Sequence, residues 1–109
     1  MILDRIYKTE YTAPEVLVES KYTEKSDVYS FGIILWEVMS RKKPFSEMSL
    51  LEIMDKVQKG IRPDLNDANI FKNTNPIKDF NTKCWHSDPQ KRPTMKNLIL
   101  SLGNMLLSA

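Results

Sequence analysis

From Ser26 to Ser40 the apolar positions are Val28, Tyr29, Phe31, Ile33, Ile34, Leu35, Trp36, Val38 and Met39, spread over nearly the whole circumference of a helix. A helix apolar on most sides has to be buried on most sides. Thr23 or Ser26 is suited to cap its start, Asp27 adds negative charge in the first turn, and Pro44 prevents continuation. Gly32 inside it costs about 1 kcal/mol relative to Ala, so a close approach of another helix or backbone is expected there.

The flanking pattern predicts shorter helices. Pro14 suits the first turn of one running through Glu15-Val16-Leu17, because its missing amide proton would be unpaired there anyway. A polar link, Glu19 to Lys25, follows. Ser49-Leu50-Leu51-Glu52 has the form of a capping box, after which Leu50, Ile53, Met54 and Val57 repeat at helical spacing until Gly60 supplies the stop. Asn75-Pro76 reads as a cap followed by a first-turn proline, with Ile77, Phe80, Cys84 and Trp85 on one face. The last helix starts near Pro93-Thr94 and places Met95, Leu98, Ile99, Leu102, Met105 and Leu106 on one stripe, with Gly103 as a weak point.

Between these elements, residues 61–75 read as an irregular surface loop with a short turn at Ile70-Phe71. Such a length in a compact domain points to a functional or family-specific insertion. Residues 1–13 lack a sustained period and read as an extended or loop segment. There is no internal repeat, and the picture is mostly α: about five helices of unequal length around one buried helix.

Length and composition narrow the possibilities. At 109 residues and 41% hydrophobic content the chain forms one domain and leaves no room for a second. Sixteen Lys plus Arg against 14 Asp plus Glu give a net charge of +2, too near neutral for a nucleic-acid or polybasic membrane surface. Arg41-Lys42-Lys43 reads as a solvated helix C-terminus, with a phosphate site as the alternative. Cys84 is alone, so no internal disulfide forms, and His86 has no Cys or His partner at metal-ligand spacing. No apolar stretch is long enough to span a bilayer, and Asp4, Arg5, Lys8 and Glu10 stand where a signal peptide needs apolar residues. The expected location is cytoplasmic, either as such or as the cytoplasmic part of a membrane receptor.

The order of several short motifs carries more than any of them alone. The chain reads Tyr11-Thr12-Ala13-Pro14-Glu15, then Ser26-Asp27-Val28-Tyr29-Ser30-Phe31-Gly32 through Trp36-Glu37, then Lys43-Pro44-Phe45, Gly60-Ile61-Arg62-Pro63, and Cys84-Trp85-His86-Ser87-Asp88-Pro89-Gln90-Lys91-Arg92-Pro93. This succession, over residues 7–107, resembles the eukaryotic protein kinase domain from its Ala-Pro-Glu motif to its end. Trp36-Glu37, Pro44-Phe45 and Cys84-Trp85 look most like the tyrosine-kinase-like and tyrosine kinase branches. The fold implied is the C-terminal lobe of a kinase, an orthogonal helical bundle.

By resemblance, Glu15 pairs with Arg92 and ties the activation segment to the last helices. Asp27 matches the aspartate that accepts hydrogen bonds from the backbone of the catalytic loop; within this chain, stabilising its own helix terminus is an equal reading. Gly32, Trp36, Pro44, Phe45, Trp85 and Pro93, with Ala13 and Pro14, match structural positions of the family. Thr9, Tyr11 and Thr12 lie where kinases form the pocket for the substrate residue after the phosphoacceptor. Many serine/threonine kinases carry Gly-Thr a few positions before the Ala-Pro-Glu motif, where this chain has Tyr7 and Lys8, so the substrate class stays open. Tyr7, Thr9 and Tyr11 are also candidates for phosphorylation that orders the segment through a basic partner.

Kinases position ATP with a Gly-rich loop, a strand lysine, a catalytic Asp and Asn, and a metal-binding Asp. The chain has three glycines, no His-Arg-Asp and no Asp-Phe-Gly. The expectation is a piece of a protein kinase cut off upstream, whose intact parent uses ATP and magnesium on protein substrates and whose missing N-terminal part is its first partner. By itself the piece is expected to be inactive. The alternative is a non-catalytic scaffold or binding module of the pseudokinase type.

Overall fold

A computed structural model describes residues 9–65 and 75–108. A 3-10 turn, Thr9–Tyr11, leads to α1 (Pro14–Glu19), α2 (Glu24–Ser40), α3 (Leu50–Gln58), α4 (Asn75–Cys84), a second 3-10 turn (Pro89–Lys91) and α5 (Met95–Ser108). The described residues are helical with no strand, as expected of the family's C-terminal lobe. The turn expected at Ile70-Phe71 lies outside the described residues.

The helix ends follow local chemistry. Thr23 caps α2, accepting from the Lys25 amide at 3.1 Å, while the Ser26 hydroxyl accepts from the Thr23 amide at 3.1 Å. Ser49 and Glu52 form the same reciprocal box at α3. At the other end of α3, Gly60 adopts φ 86°, with its amide on Val57 O at 3.0 Å and the Ile61 amide on Lys56 O at 3.0 Å, a Schellman closure. α2 ends differently from the expectation built on Pro44. Arg41 turns left-handed at φ 60° and its amide returns to Glu37 O, so the helix is closed before the proline is reached.

α2 is the central element, and two apolar clusters flank it. Tyr29, Ile33 and Trp36 pack with Ala13 and Val16 of the α1 region, with Phe45 in the turn after α2, with Ile53 and Val57 of α3, and with Trp85. Val28, helped by Phe31 and Leu35, packs with Phe80 and Cys84 of α4 and Leu98 of α5. The Phe31 and Phe80 rings meet edge to face with centroids 6.4 Å apart. Gly32 lets α4 come close: a Cβ built there would stand 2.9 Å from the Cβ of Cys84. Asn81 uses that approach to donate to Gly32 O at 3.1 Å.

Two expectations need correction. Burial of α2 is incomplete, because Ile34 and Val38 are 46% and 65% exposed. Ile99 of α5, placed on the buried stripe from its spacing, is 65% exposed, and Leu98 carries the contact there. A stripe of i, i+3, i+4 positions is wider than the single line along which α5 touches α2 and α4, so its edge faces outward.

Candidate functional site

Pro14 at the first position of α1 forces Ala13 into an extended conformation, φ −63° and ψ 149°, and this aims Glu15 back across the domain. Arg92 is held in the same way by Pro93, at φ −80° and ψ 150°. Its Nη1 donates to Glu15 Oε2 at 2.8 Å and its Nη2 to Glu15 Oε1 at 2.9 Å. The guanidinium also donates from Nε to His86 O at 2.8 Å and from Nη1 to Lys25 O at 2.9 Å. Ser26 donates to Glu15 Oε2 at 2.8 Å. Burial alone would raise the Glu15 pKa, but the hydrogen bonds from Arg92, its own amide and Ser26, together with the Arg92 charge, hold it below the usual carboxylate range.

Around this pair, Lys25 Nζ reaches Arg92 O at 2.8 Å and Pro89 O at 3.4 Å. Glu24 accepts from the Met95 amide at 2.6 Å and so caps α5 from the far end of the chain. Tyr29 lies under two guanidinium groups, Arg62 at 5.0 Å and Arg92 at 5.1 Å from its ring centroid. Arg62 joins the end of α3 to the end of α4, donating to Val57 O at 3.1 Å and to Trp85 O at 2.9 Å. Trp36 Nε1 donates to Asp64 O at 2.9 Å, and Pro44 is buried.

The segment before Ala13 lies against α2. The Tyr11 hydroxyl donates to Glu37 Oε1, and Ser30 donates to Tyr11 O at 2.7 Å. Burial first, and then the Glu37 carboxylate, push the Tyr11 hydroxyl up to about 12. Thr9 is buried and Thr12 half-buried. A basic partner is what a phosphate on this segment would need, whereas Tyr11 meets an acid; Tyr7 lies outside the described residues. Asp27, half-buried in the first turn of α2, accepts from the Tyr22 hydroxyl. Gly32 and Trp85 sit where α2 and α4 touch.

A family profile described as protein tyrosine and serine/threonine kinase matches residues 3–102, which hold all of these groups. The chain belongs to the protein kinase family. Among its kinase relatives is human mitogen-activated protein kinase kinase kinase 7, 42% identical over 99 residues, covering 88% of this chain and 16% of the relative. Another is the megakaryocyte-associated tyrosine-protein kinase of Rattus norvegicus, 37% identical over 100 residues, covering 91% of this chain and 21% of the relative. The chain thus spans about a fifth or less of the length of these kinases.

Several members of this kinase arrangement were not singled out from sequence. Glu37, Ser30 and Glu24 act at long range and leave no local pattern. Arg62 stood in a motif without an assigned contact. Asn81 had a signal: it lies between Ile77 and Trp85 on the apolar face of α4, where a polar residue must find a buried partner.

Proposed function

We propose that residues 1–109 are the C-terminal, substrate-side helical part of a protein kinase large lobe. In the whole enzyme they work beside a nucleotide-binding part, and the terminal phosphoryl group of ATP, with magnesium, passes to a Ser, Thr or Tyr hydroxyl of a protein. The observation that carries this is the open side of α2. Asp27, Phe31, Ile34 and Val38 follow one another at i, i+4, i+7 and i+11, one helical face. The described residues leave Ile34 and Val38 largely open, at 46% and 65% exposure. On this reading the apolar stripe is covered by the preceding part of the lobe, and Asp27 exchanges the Tyr22 hydroxyl for backbone amides of the catalytic loop.

This chain's own contribution is positioning. Glu15 and Arg92 fix α1 against residues 86–92, while Ser30 and Glu37 hold Tyr11. Thr9, Tyr11 and Thr12 thereby present a fixed backbone, which we read as the pocket for the substrate residue following the phosphoacceptor. ATP and magnesium supply the transferred group and the charge neutralisation, and no residue of this chain is assigned to hold them. A cytoplasmic location, alone or behind a membrane receptor, suits this chemistry.

The test joins these residues to the ATP-binding part of mitogen-activated protein kinase kinase kinase 7, in place of that protein's own matching stretch. Radiolabelled phosphate is then followed into a general protein substrate. Transfer by the chimera, and none by the 109 residues alone above a heat-killed control, is expected. A folded chimera without transfer would overturn the enzyme reading and favour a non-catalytic binding module.

A further inference from the structure

A cleft of about 490 Å3 opens between the C-terminal end of α2, the turn after it and the segment following Gly60. Its floor is apolar, built from Trp36, Phe45, Met48, Ile61 and Pro63. That volume lies within the usual range for ligand clefts and accommodates one large apolar side chain with the backbone on either side of it. The turn forming one wall is closed by the Met48 amide on Phe45 O at 3.2 Å, and holds Phe45 at φ 53° and Glu47 at φ 66°. Non-glycine residues keep such backbone angles only where their surroundings enforce them, so this wall is shaped in advance of any ligand.

The charge around the cleft is mainly positive. Lys42 and Lys43 stand at its edge, continuing the exposed cation of Arg41, and Arg62 forms part of its wall. Among the described lining residues Asp64 is the one carboxylate, and Glu47 lies in the turn that forms the wall. Arg62 directs its hydrogen bonds to neutral acceptors among the described residues: Trp85 O, Val57 O, Ile61 O and Ser87 Oγ. Burial lowers its pKa first and the like charge of Arg92 adds to the fall, while Tyr29 and the Glu15 carboxylate oppose it.

We propose that this cleft is a docking site for a peptide segment of a partner protein, in which an aromatic or branched apolar side chain is flanked by carboxylates. The apolar floor takes the anchor, and the exposed Lys43 at the rim meets the acidic neighbours. The site lies apart from the Tyr11 segment and needs no nucleotide, so its failure would leave the kinase reading standing.

The test titrates the full chain into a short fluorescein-labelled peptide carrying one phenylalanine between aspartates and reads anisotropy. Saturable binding that weakens with added salt is expected. Replacing the peptide's phenylalanine by alanine, or Lys43→Glu in the chain, is expected to raise Kd by about tenfold or more. Ser46→Trp, which fills the mouth of the cleft, is expected to abolish binding, and Lys21→Glu, in a separate hollow beside Pro14 and Gln58, to leave it unchanged. Circular dichroism of each variant verifies that the helices remain. Equal binding of a peptide with lysines in place of its aspartates, indifference to loss of the phenylalanine, or an unchanged Kd for Lys43→Glu would each overturn the proposal, as would no saturable binding at all.

Discussion

Arg92 grips Glu15 across 77 positions of sequence through two parallel hydrogen bonds, 2.8 and 2.9 Å long, with the arginine side chain fully enclosed and the glutamate 13% exposed. Removing either partner leaves a buried charge without its counter-ion, which costs about 3–5 kcal/mol. Glu15→Ala and Arg92→Ala are each expected to lower the thermal midpoint sharply in circular-dichroism melts. Melting unchanged from the parent in both variants would show that the pair does not hold α1 in place.

The same pair sets a pH dependence. The folded-state pKa of Glu15 lies below its unfolded value. Its contribution is therefore complete above the unfolded pKa, near 4.5, and is lost as pH falls through the folded value. Urea midpoints measured from neutral pH downward are expected to fall on the acid side, and Glu15→Gln is expected to flatten that fall. A parallel curve for Glu15→Gln would assign the acid sensitivity to other carboxylates.

Two glycines are expected to respond in opposite directions. At Gly32 a Cβ would meet Cys84 Cβ at 2.9 Å and the backbone of Trp85 at 3.4 Å, so Gly32→Ala must push α4 away from α2. Overpacking of this kind costs about 1–3 kcal/mol. Nothing lies within 4 Å of a Cβ at Gly103, and there alanine gains up to about 1 kcal/mol of helix propensity. Urea denaturation of the two variants beside the parent gives both signs in one experiment.

What the sequence made legible was whatever repeats at short range. The apolar wheel of residues 28–39, the Ser49-to-Glu52 box and the Gly60 stop each depend on neighbours within a turn or two. The helix, the box and the stop stand in the structure as read, while Ile34 and Val38 leave part of the wheel exposed. The pairing of Glu15 with Arg92 came only from ordered motifs, since no local pattern links residues so far apart. Glu24 on the Met95 amide is of the same long-range kind and had no motif to announce it, and Arg62 on Trp85 O stood in a motif that assigned it no contact. Ile99 was misplaced because spacing gives the width of an apolar stripe, and only packing decides which edge of it is covered.

Cys84 is fully enclosed between α2, α4 and α5, and burial pushes its thiol up to about 12. The reactive thiolate is therefore scarce near neutral pH as well as unreachable. Iodoacetamide is expected to leave the native chain unmodified by mass and to alkylate it once urea unfolds it. Rapid alkylation of the native chain would mean that the contact between α4 and α2 opens far more readily than the packing implies.

The open face of α2 gives the last expectation. Ile34 and Val38 stand one turn apart, 46% and 65% exposed, beside the half-buried Phe31 and Leu35. Apolar surface gathered in this way on a small chain favours contact with another apolar face over contact with water. The isolated chain is expected to self-associate through it and to bind a hydrophobic dye. Ile34→Lys combined with Val38→Lys keeps helix-forming residues at both positions while breaking the stripe. Sedimentation velocity is expected to move toward the monomer in this variant, and dye binding to fall. The thermal midpoint should shift far less than for Glu15→Ala, since exposed positions contribute within about 0.5 kcal/mol. Association as strong in the double variant as in the parent would place the sticky surface elsewhere, and would remove the main support for the proposed cover of α2 by the rest of a kinase lobe.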